Sequence, residues 1–206
     1  TRFIQVTGVQ TCALPIYARK VAFDKIQKSS TFSKVIMAFI MACVTGIMAQ
    51  IVIPLPWTPV PITAQTFAIL CSGLILGKKY GCLSQIIYVI LGVAFIPWFG
   101  GMTGGLETLL GSTGGYLIGF IFASYFIGHI SQRSAKSRNF KRMIVTVGIA
   151  NFAIIYIPGL LGLALWFYLT QGSVLGIIDL LIMGFIPFIF GDIYPEIGRA
   201  SCRERV

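Results

Sequence analysis

The fold class that this sequence predicts is an all-α integral membrane protein, and three observations predict it. Hydrophobic residues make up 56% of the chain and charged residues only 11%, whereas a soluble domain carries roughly 25% charged residues. Six apolar stretches of near-membrane length follow one another along the chain. Lys and Arg fall in every second connection between them, which is the pattern of cytoplasmic loops. The net charge of +10 is therefore a statement about the membrane, not a nucleic-acid footprint.

Both ends differ from what they flank. Residues 1–16 (TRFIQVTGVQTCALPI) and 195–206 have neither periodicity nor membrane composition. They resemble translated cloning or adapter sequence and are set aside as non-native. This leaves 17–194 as one transmembrane domain.

Arg19, Lys20, Lys25, Lys28 and Lys34 come before or at the start of the first apolar stretch, Val35–Pro54. Stretches two and three are Ile62–Gly77 and Tyr80–Phe99, joined by a Lys78–Lys79 turn. Stretches four and five are Gly115–Ile130 and Met143–Leu169, joined across Arg133, Lys136, Arg138, Lys141 and Arg142. Each approaches the roughly 20 residues that a helix needs to cross the hydrocarbon. Val174–Tyr194 is the sixth stretch. The N-terminus and both basic connections are placed in the cytoplasm. Ile53–Pro61, Gly100–Gly114 and Thr170–Ser173 then face outward, and none contains Lys or Arg.

The five cysteines, Cys12, Cys43, Cys71, Cys82 and Cys202, are odd in number and lack metal-ligand spacing, so neither a disulfide framework nor a zinc site is read. His129 lies at the cytoplasmic end of stretch four, as an interfacial imidazole.

Four features can carry chemistry. Ala38, Ala42 and Gly46 recur every fourth residue, a smooth stripe where another helix can pack closely. In Pro54–Thr66 (PLPWTPVPITAQT), four prolines in eight residues forbid a helix. Trp57 there is an interfacial anchor or a lid, and Gln65 and Thr66 sit at the outer end of stretch two. Gly100–Phe120 (GGMTGGLETLLGSTGGYLIGF) is rich in glycine. Unwound backbone at membrane depth survives only where protein buries it or where it lines a cavity, so this region reads as a pocket wall or cap. Its one acid, Glu107, is a solvated loop group or a ligand contact. Finally, Gly184–Asp192 (GFIPFIFGD) puts an acid at the mouth of an apolar segment, by default a functional-site hypothesis. Asp179 fits the wet face of a short amphipathic helix.

Several of these segments resemble the BioY family, the biotin-capturing subunits of energy-coupling-factor (ECF) transporters. They are VPITAQTF (Val60–Phe67), GLILG with the following lysines, LGVAFIPWF (Leu91–Phe99), GSTGGYLIGF (Gly111–Phe120) and GFIPFIFGD. The resemblance covers about Lys34–Asp192. It implies a compact bundle of six transmembrane helices with biotin held near the outer face. Val174–Met183 becomes a short surface helix, and a sixth span begins near Pro187 and is truncated or replaced. The implied ligand set is Trp57, Thr63, Gln65, Tyr88, Thr103, Gly104, Gly105, Tyr116 and Asp192. Trp98 is a further candidate to cover the apolar ring of biotin. Asp192 would accept from a ureido N–H, and Gln65 and Thr103 would donate to oxygens. The small-residue stripe Ala38/Ala42/Gly46 would dock the transmembrane coupling subunit and, through it, two ATP-binding-cassette ATPases. The implied setting is a bacterial or archaeal cytoplasmic membrane. The chain departs from the family at Pro195, where a lysine is usual, and at Leu117, where some members carry arginine.

Two other classes stand beside this reading. One is a small membrane enzyme, for which the spans hold no HExxH, no GxSxG and no paired acids. The other is a relative or small permease for a different vitamin. No GxxxxGK[ST] motif occurs, so energy must come from partners, and no cofactor is expected beyond the transported ligand.

Overall fold

The computed structural model describes residues 29–94, 96–133, 140–172 and 175–186. Helix α1 spans Thr31–Met48, and Ser30 caps it by accepting the Ser33 backbone N–H at 3.2 Å. Strands β1 (Val52–Ile53) and β2 (Ile62–Thr63) follow, paired antiparallel with Val52 opposite Thr63. The proline-rich residues between them form an arch, because a chain lacking those amide protons cannot close a helix.

Helix α2 covers Gln65–Ala94 but doubles back at Gly77, whose φ of 77° and ψ of −176° are open only to glycine. In a straight helix Gln65 and Tyr88 would stand about 34 Å apart, at 1.5 Å per residue. Instead the Gln65 amide donates to the Tyr88 hydroxyl at 2.7 Å. A Cβ placed on Gly81 would lie 2.9 Å from the Gly73 Cα. The helix is therefore two antiparallel arms, 65–76 and 78–94, which are stretches two and three with the turn at the lysines as expected.

The glycine region is less irregular than its composition predicts. Residues Gly105–Leu110 form a short helix, α3, and the backbone is unwound on either side. Helix α4 spans Gly114–Arg133. Then α5 (Phe140–Ile149), a π-helical turn (Ala150–Ile155) and α6 (Tyr156–Gln171) run on as one rod. The rod stops at Gly172, which has a φ of 63° and whose N–H reaches the Tyr168 carbonyl. Helix α7 is short, Ile177–Gly184, and largely exposed, with Asp179 in its first turn. Hydropathy alone makes Val174–Tyr194 a crossing; the short helix fits what the family resemblance implied. Asp192 and the expected start of a sixth span at Pro187 lie outside the described residues.

Helix α4 is the hub, packed against both α2 and the α5–α6 rod. Its Ser124 hydroxyl bonds that of Ser72 at 2.9 Å, deep in a core that also holds Ile69, Ile127 and Leu163 without exposed surface. Four helices among the described residues are long and apolar enough to cross a membrane. Their outer faces carry Phe39, Phe122, Leu161 and Leu165, side chains suited to lipid. One end gathers basic groups. The Lys34 ammonium lies 5.7 Å from the Tyr80 ring centre, and the Lys78 backbone N–H donates to the Gln132 side chain at 3.4 Å, next to Arg133.

The stripe Ala38, Ala42 and Gly46 corrects an expectation. All three are buried within the chain, on the helix that packs against α2. A Cβ on Gly46 would meet the Trp98 ring at 2.8 Å. Small residues permit close approach to any helix, and here the approach is intramolecular. The stripe is not a free docking face.

A roofed cavity at the end away from the lysines

At the opposite end of the bundle, local chemistry holds three loops in fixed positions. Gln50, just after α1, pins the chain that follows α2. Its amide nitrogen donates to the carbonyls of Gly46 at 2.9 Å and Trp98 at 3.0 Å, and its oxygen accepts the Met102 N–H at 2.9 Å. A tight turn results, closed by the Phe99 N–H on the Thr103 carbonyl and by the Thr103 hydroxyl on the Gly100 carbonyl. Met102 takes a φ of 61° in that turn. The proline arch is tied down by Thr58, whose hydroxyl donates to the Met183 carbonyl at 2.7 Å and accepts the Val60 N–H at 3.2 Å. Tyr116, in the first turn of α4, donates to the neighbouring Gly184 carbonyl at 2.8 Å.

These elements enclose a cavity of about 350 Å³, at the small end of the range for small-molecule sites. The arch forms one wall through Pro59–Thr63, continued by Gln65 and Thr66 at the start of α2. Phe99, Gly100 and Thr103 come from the tight turn, and Thr108 and Gly111–Thr113 from the glycine region. The floor is Tyr116, Leu117 and Phe120 of α4 with Ile155 and Tyr156 of the rod. Tyr116 and Tyr156 meet edge to face, 6.1 Å between ring centres. The described lining is neutral: hydroxyls, one primary amide, backbone and aromatic faces. It suits a molecule with an apolar body and a compact hydrogen-bonding group.

Of the residues expected at a ligand, the cavity brings together Thr63, Gln65, Thr103 and Tyr116. Trp57 is 55% exposed and does not line it. Trp98 is buried beside Tyr88, to whose carbonyl its indole N–H donates at 2.9 Å. Tyr88 has no exposed surface and stands behind the wall, touching Gln65. Gly104 and Gly105 only start α3, with Gly104 packed on the backbone of Pro97 and Gly92. Glu107 is exposed, His129 stacks on Tyr125, and Asp192 lies outside the described residues. Phe99, Phe120 and Tyr156 were not foreseen, since nothing in an apolar run marks which aromatic will face a void. Ser112 and Thr113 were visible inside the GSTGG segment, though not as individual contacts.

Comparison with known proteins agrees with this architecture. The BioY family model matches residues 23–199. A protein of Methanothermobacter thermautotrophicus described as "Probable biotin transporter BioY" is 53% identical over 135 residues, 66% of this chain and 86% of that one. The "Biotin transporter BioY" of Thermotoga maritima is 38% identical over 141 residues, 68% of this chain and 77% of its own length. The crystal structure of an S-component for biotin from an ECF-type ABC transporter shares the fold. Its TM-score is 0.66 at 24% identity, covering 77% of this chain and 85% of that one. With a family match across most of its length and relatives of this closeness, the chain belongs to the BioY family.

Proposed function

We propose that this chain captures biotin in the roofed cavity and serves biotin uptake across a cytoplasmic membrane, as the substrate-binding subunit of an ECF transporter. The cavity itself carries the reading. Its 350 Å³ holds a neutral amide and several hydroxyls beside the rings of Phe99, Phe120 and Tyr156. A ureido ring fused to an apolar ring needs that combination, because each buried polar group left unpaired costs about 1–3 kcal/mol. The relatives' names point to the same ligand. Thr63, Gln65, Thr103 and Tyr116 are the proposed contacts, joined by Asp192 on the resemblance alone. Transport energy would come from a transmembrane coupling subunit and two ATP-binding-cassette ATPases. The gathering of Lys34, Lys78 and Arg133 at one end supports a cytoplasmic N-terminus and an outward cavity.

Calorimetric titration of detergent-purified protein with biotin, thiamine and riboflavin tests the ligand. Saturable one-to-one binding of biotin alone is expected. Binding of either other vitamin in its place would move the chain to another substrate class. A cysteine at Ser137 that reacted with an impermeant probe from outside intact cells would overturn the orientation.

A further inference from the structure

Gln65 meets the cavity with its amide held in one sense. Its nitrogen donates to the Tyr88 hydroxyl at 2.7 Å, and its oxygen accepts from the hydroxyl of cavity-lining Thr63 at 3.4 Å. The sense follows from the neighbouring groups. The Tyr88 hydroxyl donates to the Trp98 carbonyl at 3.3 Å, a carbonyl that also accepts the Gln50 amide at 3.0 Å. With its proton on that carbonyl, the Tyr88 oxygen accepts the Gln65 N–H. The carbonyl end of the amide is left on the side of Thr63. Tyr88 cannot drift, because its ring packs against Trp98 and Phe99, with centres 5.3 and 5.4 Å away, and it has no exposed surface.

We infer that Tyr88 is a positioning residue that fixes Gln65 as a hydrogen-bond acceptor, so that this corner of the cavity selects a ligand N–H. This rests on the biotin reading and sharpens it. Gln65 meets a ureido N–H of biotin, and the expectation that it donates to a ligand oxygen is replaced. Without the Tyr88 hydroxyl the amide can present either end, and the corner no longer tells a donor from an acceptor.

The test is a double-mutant cycle by calorimetry with two probes, biotin and biotin methylated on a ureido nitrogen, each of the two N-methyl isomers in turn. One lost hydrogen bond is about 0.5–1.5 kcal/mol. Tyr88→Phe and Gln65→Met should therefore each weaken biotin roughly three- to tenfold. The double variant should be no weaker than Gln65→Met alone. Discrimination against one methyl isomer should shrink in both single variants, a change that a merely structural tyrosine would not produce. Losses that multiply in the double variant, or full discrimination retained by Tyr88→Phe, would overturn the assignment while leaving biotin binding in place. A Tyr88→Phe chain that cannot be recovered folded would also count against it, as would discrimination unchanged in Gln65→Met. Failure of the unaltered chain to bind biotin would instead remove the biotin reading and this inference with it.

Discussion

The hydroxyl of Thr58 donates to the carbonyl of Met183 at 2.7 Å, joining residues 125 positions apart. It ties the proline arch over the cavity to the end of α7, and the neighbouring Gly184 carbonyl is taken by Tyr116 from below. Roof, floor and α7 are thus linked through two adjacent carbonyls. Thr58→Val keeps the shape and removes the tie. The variant also loses the Val60 N–H contact within the arch. Stopped-flow measurement should find biotin leaving roughly three- to tenfold faster, the effect of losing the tie to Met183 at about 1 kcal/mol. An unchanged release rate would mean that the arch is held by its backbone alone.

Gly77 is the hinge of the α2 hairpin, and its backbone angles exclude a side chain. Gly77→Ala should lower stability by about 1–3 kcal/mol, the usual cost of a residue held in such a region. A thermal melt in detergent reads this directly. A melting point unchanged within a degree would show that the arms can be joined by another turn.

Ala42 has no exposed surface. Overpacking of a close helix contact costs about 1–3 kcal/mol, so Ala42→Leu should lower the melting temperature of the isolated chain and weaken biotin binding along with it. A stable variant with full biotin affinity that no longer associates with a coupling subunit would restore the stripe as a docking face.

Asp192 stands on the family resemblance. Asp192→Asn keeps the shape but removes charge from the proposed acceptor of a ureido N–H. Biotin affinity should fall by roughly 1.5–3 kcal/mol, about ten- to hundredfold. Equal affinity by calorimetry would leave the acid as a structural cap and place the ureido contacts on Gln65 and its neighbours alone.

Much of the fold was legible because hydropathy and charge report the transfer of whole segments between water and lipid. Lys78 and Lys79 marked the hairpin turn, and the run from Met143 to Leu169 marked the rod. Transfer free energy has no direction around a helix axis, however. The same small-residue spacing describes Ala42 facing a partner or facing α2, and only the packing decides. Trp57 and Tyr88 illustrate the same gap in the site. Both are aromatic and near the outer end, yet one is solvated and the other supports the wall from behind. Helix α3 was missed because six residues flanked by glycines show no readable period. Gln65 and Thr66 could be placed at the cavity because polar side chains at the ends of apolar runs need partners wherever they lie, whereas Thr63 and Tyr116 came from the family resemblance.

The π-helical turn at Ala150–Ile155 can be seen as a phase shift within one rod. Its bonds reach one residue further than those of an α-helix, so the stretch carries a residue more than a regular span of the same rise. Removing that residue would let the rod close into continuous α-helix. It would also rotate Ile155 and Tyr156, relative to the segment before them, by roughly 100°, one residue's turn at 3.6 per revolution. Both side chains now lie on the cavity floor. The segments before and after the turn therefore keep independent bearings, and a single deletion near Ala153 would re-aim the floor while leaving hydropathy, length and charge almost as they are.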